Sequence, residues 1–382
     1  MLRLSISAVL MVGGLGGCVA TAATGQTEAI AISAPAQAAS VGLDGNALDV
    51  LAADIRQGDF GNTHALLVFQ ENKLAHESYF VGDDRQWGRR REWERSVEFG
   101  PGRLHDARSI SKTVVSTLVG IAIRDGHIPS ADTPLHDLLP SYQHLLTGKK
   151  RQLTLRHLLT MTPGLQWNEM GAGPNDESRM YESADPTAFV LQRPLVAEPG
   201  TVWEYSGGTS HLLGVILEGR TGRPIEEYAR QVLFEPLGIS TFEWRGDVAG
   251  MPAAASGLRL LPRDFAKLGR MFEDNGRSRG RQVGPAQWLA EAMQLQIEIA
   301  RHHRAPSWSL RSGYGFQWWH DEFAGPQGPF RVSTARGLGG QRIFVVPQYD
   351  LVVVVLSGHY GKPDASWTPE HILQRVVQAL RV

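Results

Sequence analysis

The chain has 382 residues, of which 42% are apolar and 20% charged, and its formal net charge is -1. This is an ordinary globular composition, and the length allows one large domain or two lobes. The near-neutral charge gives no indication of a nucleic-acid partner, and the single cysteine, Cys18, excludes an intramolecular disulfide and a zinc site built from several cysteines.

The N-terminal segment predicts export. Residues 1–17 carry one positive charge before an apolar run that is too short to span a bilayer, as in a signal peptide. Leu15-Gly16-Gly17-Cys18 resembles a bacterial lipobox, which implies that Cys18 becomes the lipidated N-terminus. Residues 18–42 then form a flexible tether to a domain at 43–382. We expect a periplasm-facing lipoprotein of the cell envelope; the alternative is an ordinary signal peptide and a soluble periplasmic protein.

The residue pattern predicts strands first, then a series of helices, and then strands again before a closing helix. Two β-rich runs at 64–70 and 74–81 predict a hairpin. Helical spacing of apolar residues predicts a helix over 111–123 that ends at Gly126. Further helices are predicted near 154–160, 185–191, 208–220, 224–233, 262–275 and 285–296. β-rich runs follow at 316–320, 331–334, 343–346 and 351–356, with a turn at 347–350 and a closing helix at 369–381.

Strands therefore lie at both ends of the domain and helices fill its middle. This order predicts an α+β protein with an antiparallel sheet built from both termini, flanked by helices and carrying a mostly helical insertion. The sheet lobe should comprise about 43–110 and 310–382, and the helical lobe about 111–309.

The first chemical motif is Ser109-Ile110-Ser111-Lys112, a Ser-x-x-Lys at the start of the 111–123 helix. Residues three apart share a helix face, so Lys112 can reach the Ser109 hydroxyl. A serine needs a base to act as a nucleophile, and burial could lower the pKa of Lys112 enough for that role. The alternative is a helix-capping serine and a surface lysine.

Two further segments carry possible partners. Tyr205, beside Ser206-Gly207-Gly208, could shuttle a proton to a leaving group, or could simply lie at a capping turn. Glycines at 337, 339 and 340 precede the 343–346 strand and allow a ligand to approach the backbone closely. An exposed N–H there could pair with that of Ser109 as an oxyanion hole. A dinucleotide-binding loop is excluded, because the glycine spacing is wrong and a strand follows.

Together these motifs resemble the serine β-lactamase and D-alanyl-D-alanine peptidase superfamily, and most of all its class C β-lactamase-like esterases and 6-aminohexanoate-dimer hydrolases. The phrases that carry the resemblance include LHDARSISKTVVSTLVGIAIRDGHI, EPGTVWEYSGG and GLGGQRIFVVPQYDLVVVV, and it spans about residues 45–380. It implies a β-lactamase/DD-peptidase-like fold with the active site between its lobes. It also implies Ser109 as nucleophile, Lys112 as base, Tyr205 as proton shuttle, and the N–H groups of Ser109 and Leu338 as the oxyanion hole.

The sequence departs from the β-lactamase pattern at two motifs, and both bear on which substrates are expected. Gly207 stands where class C β-lactamases have the Asn of Tyr-x-Asn. The Lys-Thr-Gly motif is absent, and only Arg331, Arg336 or Arg342 could supply its cation. Both changes disfavour β-lactam hydrolysis and leave acyl-enzyme chemistry intact.

The remaining candidates are weaker. His302-His303 lacks the partner spacing of a metal site and fits a solvated loop. No G-x-S-x-G motif is present, which argues against an α/β-hydrolase. Asn175-Asp176-Glu177 could bind substrate amines from a cleft-side loop, could serve as a cap, or could be a solvated segment.

We therefore expect a serine hydrolase that cleaves a small ester or amide, with no metal or organic cofactor and no membrane contact except a lipid anchor. The alternatives are a weak β-lactamase, a D-amino-acid cell-wall peptidase, or a non-catalytic envelope binding protein that keeps the fold.

Overall fold

The structure is a computed structural model, and it describes residues 38–86, 94–246, 250–300, 302 and 305–381. The predicted signal peptide, Cys18 and the tether up to residue 37 lie outside the described residues. In the described part of the chain, no helix combines the length and the apolar character needed to cross a membrane.

Helices occupy the middle of the chain and both flanks of the sheet. They are α1 (Gly45–Gln57), α2 (Ile110–Arg124), α3 (Leu135–Leu138), α4 (Leu155–Leu159), α5 (Asp176–Glu182), α6 (Pro186–Gln192), α7 (Gly207–Thr221), α8 (Ile225–Ala229), α9 (Glu235–Leu237), α10 (Pro262–Glu273), α11 (Ala286–Ala292) and α12 (Thr368–Gln378). A π-helical turn at Arg230–Phe234 joins α8 to α9.

The main sheet has eight antiparallel strands. In spatial order they are β10 (Ile297–Ile299), β11 (Ser309–Tyr314), β12 (Trp319–Gly325), β13 (Gly328–Gly337), β14 (Gln341–Val346), β15 (Leu351–Ser357), β1 (Thr63–Gln70) and β2 (Lys73–Tyr79). Small sheets pair β3 (Val81–Asp84) with β4 (Glu94–Glu98), β5 (His105–Asp106) and β6 (Phe242–Trp244) with β7 (Leu258–Leu260), and β8 (Arg277–Ser278) with β9 (Arg281–Gln282).

Strand β1 shows why the sheet is covered on both faces. All eight of its residues are buried. Its alternate side chains belong to two cores: Leu67 and Phe69 pack on the side of α2 and α10, whereas Leu66 and Val68 pack on the side of α1 and α12. Successive residues of a strand point to opposite faces, so a continuous apolar run fits a central strand between two helical layers.

The predicted α+β fold and its antiparallel sheet are confirmed, with strands from both ends of the chain side by side as β15 and β1. The hairpin at 64–81 and the strands at 331–334, 343–346 and 351–356 are also confirmed. The predicted helix over 285–296 is too long. It ends at Ala292, because Gln296 already pairs with Tyr314 as the chain enters the sheet.

The strand predicted at 316–320 is wrong for its first half. Residues 315–318 form a turn, and Gln317 has a positive φ of 63°. The Gln317 amide donates to the carbonyls of Leu158 and Leu159, both at 3.0 Å, and the Gln317 carbonyl accepts from Thr113 at 2.9 Å. These contacts with α2 and α4 hold the turn, and no local pattern in the sequence could reveal them.

Candidate active site

The start of α2 carries Ser109. It lies at the N-cap position with helical backbone angles (φ -67°, ψ -3°), and its hydroxyl makes no capping hydrogen bond. The neighbouring Ser111 fixes this turn, because its Oγ donates to the Arg108 carbonyl at 2.7 Å and accepts from the Leu258 N–H at 3.2 Å. The Ser109 hydroxyl is therefore left for another partner, and the capping alternative does not describe it.

Lys112 is that partner. It lies one helical turn beyond Ser109 and is buried, with 1% of its surface exposed. Its Nζ donates to Ser109 Oγ at 3.1 Å and to the Ala255 carbonyl at 3.0 Å, and it lies 5.0 Å from the centre of the Tyr205 ring. The structure thus brings three of the predicted site residues together. Ala255, which sequence reasoning missed, precedes β7 and carries no local signal.

The expectation that burial lowers the Lys112 pKa is wrong. Burial does act in that direction, but the interactions of Lys112 with Tyr205, Glu169 and Glu177 together outweigh it, and the Lys112 pKa is raised above its ordinary value. Buried opposite charges can reverse the effect of desolvation in this way. The lysine is therefore held as an ammonium, and it donates the hydrogen bond to Ser109.

Tyr205 lies at the start of α7, where Ser206 caps the helix by accepting from the Thr209 N–H at 3.3 Å. Burial raises the Tyr205 pKa, while Lys112 and a hydrogen bond with Ser109 oppose the rise. The phenol and the ammonium interact closely, so they titrate as one pair rather than as two independent groups.

Aromatic side chains surround Tyr205. The ring centres of Trp203 and Trp319 lie 6.2 and 5.7 Å from that of Tyr205, and Tyr314 packs against both tryptophans. Such a cluster fixes the phenol and keeps water from its ring face.

The segment around Leu338 lies beside the start of α2. Gly337 ends β13 and Gln341 begins β14, so residues 338–340 form the turn between the strands rather than the start of a strand. A Cβ atom on Gly337 would lie 2.4 Å from the Ala107 carbonyl, so only glycine allows this approach. Among the described residues, the N–H groups of Ser109 and Leu338 donate no hydrogen bond, which leaves both available to an oxyanion.

Two acidic residues complete the surroundings of Lys112. Glu169, which sequence reasoning missed, accepts from the Gly207 N–H at 2.5 Å and from the Trp167 indole at 3.0 Å. For Glu177 the sequence left three roles open: a substrate contact, a helix cap or a solvated residue. In the structure Asn175 is the cap of α5, and Glu177 lies near Lys112.

The arginines considered as substitutes for a Lys-Thr-Gly lysine have other roles. Arg342 is buried and donates to Glu370 at 2.8 Å. Arg336 pairs with Asp321 and lies 3.7 Å from Glu370, whereas Arg331 is exposed. Two of the three cations are thus already neutralised by buried carboxylates.

No metal centre is built from the residues that the structure describes, where no group of three or more His, Cys, Asp or Glu side chains is arranged to hold an ion. His302 lies 6.3 Å, ring centre to ring centre, from Trp367, and His303 lies outside the described residues.

The chain is similar in sequence to known proteins over most of its length. The sequence model of the family described as Beta-lactamase matches residues 53–375. The 6-aminohexanoate-dimer hydrolase of Paenarthrobacter ureafaciens is 24% identical over 316 residues, which cover 79% of this chain and 74% of that protein. Esterase EstB of Burkholderia gladioli is 30% identical over 142 residues, 34% of this chain and 36% of that protein.

Solved structures show the same fold. EstCE1, described as a hydrolase with promiscuous acyltransferase activity, superposes with a TM-score of 0.68 at 15% identity, over 88% of this chain and 99% of that chain. A penicillin-binding protein homologue from Caulobacter crescentus gives a TM-score of 0.66 at 15% identity, over 90% of this chain and 99% of that chain.

Proposed function

We propose, from the premise that this chain is a serine hydrolase of the beta-lactamase family, that it cleaves an ester or an amide through an acyl-enzyme on Ser109. The observation that carries the proposal is the 3.1 Å hydrogen bond between the buried Lys112 ammonium and the Ser109 hydroxyl, with the Tyr205 ring beside both. A nucleophile within hydrogen-bond reach of an acid-base group is the arrangement that acyl transfer requires.

The reaction follows from these positions. Ser109 Oγ attacks the carbonyl carbon while its proton passes to the Lys112–Tyr205 pair, and the N–H groups of Ser109 and Leu338 stabilise the oxyanion. The bond to the alcohol oxygen or amine nitrogen then breaks, and the pair protonates the leaving group. Water then attacks the carbonyl carbon of the acyl-enzyme while one of its protons passes to the Lys112–Tyr205 pair. The pair returns this proton to Ser109 Oγ as the bond to the acyl group breaks, and the carboxylic acid is released.

The protonation state of the pair sets the pH dependence. The pKa values of both Lys112 and Tyr205 are raised, so at neutral pH the pair mostly holds both protons. It can accept the Ser109 proton only after it has lost one of them. Activity should therefore rise with pH on the acidic limb of its profile.

Esters and linear amides suit the site better than β-lactams. Gly207 supplies no side-chain amide, and Arg336 and Arg342 are engaged with Asp321 and Glu370 rather than with the cleft. A β-lactam carboxylate would thus lack the cation that a Lys-Thr-Gly motif provides.

Substrate profiling tests this proposal. Purified enzyme is assayed with p-nitrophenyl butyrate, a linear amide and nitrocefin, beside Ser109→Ala, Lys112→Ala and Tyr205→Phe. We expect turnover of the ester or the linear amide, little turnover of nitrocefin, and losses of about 10³-fold or more in Ser109→Ala and Lys112→Ala. Full activity in Ser109→Ala contradicts the mechanism, and nitrocefin turnover equal to that of the ester contradicts the substrate class.

We further propose that the enzyme is exported and anchored through lipid on Cys18, a proposal supported by the sequence of residues 1–18 alone. Expression in a bacterial host with labelled palmitate should label the wild type and not Cys18→Ala. Equal labelling of the two proteins contradicts the anchor and favours the ordinary signal peptide.

A further inference from the structure

At Gly207, the first residue of α7, there is no space for a side chain. Gly207 is not among the glycines with positive φ, so its backbone would accept other residues. A Cβ atom on Gly207, however, would lie 2.7 Å from Glu177 Oε1 and 2.9 Å from Glu177 Cδ and Cγ. The carboxyl group of Glu177 thus occupies the volume that a side chain at 207 would need.

Glu177 is held in this place by its own helix. Asn175 caps α5 by accepting from the Ser178 N–H at 2.9 Å, and its amide donates to the Glu169 carbonyl at 3.0 Å. Asp176 is buried and pairs with Arg179 and Arg193, each at 3.0 Å. The first turn of α5, which carries Glu177, is therefore anchored by Asn175 and Asp176.

The Glu177 carboxyl lies among charged side chains. Its Oε1 is buried and unpaired among the described residues. Burial and the neighbouring Glu169 raise the Glu177 pKa to about 7, against the opposite effect of Lys112 and Arg108. A carboxyl group with such a pKa changes charge near neutral pH.

We infer that Glu177 is a positioning residue of the Ser109 site: from α5 it fills the place left open by Gly207, and its carboxylate stabilises the ammonium form of Lys112. The inference rests on the proposed function, because it assigns a role through Lys112. It accounts for the glycine two residues after Tyr205, since a side chain there would displace the Glu177 carboxyl.

The groups around Lys112 determine how its pKa should change when the Glu177 charge is removed. Tyr205 precedes α7, Glu169 comes from the loop before α5, and Glu177 comes from α5; all three favour the charged lysine. Arg108, just before α2, lowers the pKa of Glu177, as Lys112 does. Removal of the Glu177 charge leaves the other groups in place and should make Lys112 lose its proton more easily.

The test is the pH profile of kcat/KM for p-nitrophenyl butyrate, with product measured at its isosbestic wavelength. In Glu177→Gln the acidic limb should move to lower pH by about one unit, the size expected for one nearby charge. Glu182→Gln removes an exposed carboxylate from the same helix and should leave the profile unchanged. A Glu177→Gln profile that overlays the wild type overturns the inference.

A second variant, at Gly207, tests the position of the Glu177 carboxyl. Gly207→Ala places a methyl group against the Glu177 carboxyl and should shift the profile as Glu177→Gln does, and the double variant should show no additional shift. Circular dichroism establishes that each variant is folded. A folded Gly207→Ala with the wild-type profile also overturns the inference.

Ser109→Ala in the same assay separates the two proposals. If Ser109→Ala retains activity, the proposed function fails. If Ser109→Ala is inactive and Glu177→Gln behaves as the wild type, only the role of Glu177 fails.

Discussion

Lys112 shows how two opposing effects decide the chemistry of a residue. Its burial is visible in the sequence, because Ile110, Val114 and Val115 surround it on an apolar helix. Its charge state is not, because the carboxylates that favour the ammonium come from Glu169 and Glu177, more than fifty positions along the chain. The sequence therefore predicted a buried lysine correctly and the direction of its pKa shift wrongly.

Glu177 should also reduce the stability of the fold above neutral pH. Its pKa is raised from 4.5 to about 7 in the folded chain, so between these values the folded state binds more protons than the unfolded state. The free energy of unfolding must then fall as pH rises through this window. The stability of Glu177→Gln relative to the wild type should grow from pH 4.5 to pH 7 and stay constant above it.

Thermal unfolding midpoints of the two proteins at pH 5 and pH 8 measure this difference, with Glu182→Gln as the exposed control. An equal difference at both pH values would show that Glu177 keeps an ordinary pKa in the fold.

At the scale of elements, the start of α2 and the β13–β14 turn are joined by Tyr360. The Arg108 Nε donates to the Tyr360 hydroxyl at 3.2 Å, and the guanidinium carbon lies 4.6 Å from the centre of the Tyr360 ring. On the other side, a Cβ atom on Gly339 would lie 2.3 Å from the same ring. Tyr360 thus contacts the residue before Ser109 and the residue after Leu338.

Arg108 needs this support because its φ of 51° is unfavourable for a residue with a side chain. Tyr360→Phe keeps the ring but removes the hydroxyl that accepts from Arg108. The same hydroxyl also accepts from the Gln341 amide at 3.4 Å. We expect a drop in kcat of about five- to tenfold with little change in KM, because Arg108 loses part of its support in the transition state. Tyr349→Phe is the matched control, because the hydroxyl it removes is buried and has no hydrogen-bond partner among the residues that the structure describes. Equal kcat values in the two variants contradict the role of Tyr360.

Elements with strong local patterns were predictable. The apolar runs of β1, β14 and β15 and the helical spacing of α2 give each element its type. The turn at Gln317 was missed because its conformation depends on the carbonyls of Leu158 and Leu159, which belong to another part of the chain.

At the scale of the whole molecule, the two ends of the chain share one sheet, and the middle of the chain brings helices over one face of it. This arrangement gathers Ser109 and Lys112 from α2, Tyr205 from before α7 and Leu338 from the β13–β14 turn. Each of these lies in a motif with its own local signal, so all were accessible from sequence. Glu169 and Ala255 lie in loops and enter the site only through the fold.

The most direct test of the proposed mechanism is to identify the residue that forms a covalent bond with an inhibitor. Enzyme treated with a fluorophosphonate is analysed by intact mass and peptide mapping, beside Ser109→Ala and Ser116→Ala. Ser116 is a control on α2, and its buried hydroxyl has no hydrogen-bond partner in the described part of the chain. We expect one adduct on Ser109 in the wild type and in Ser116→Ala, and none in Ser109→Ala. An adduct on another residue, or equal labelling of Ser109→Ala, would contradict the proposed mechanism.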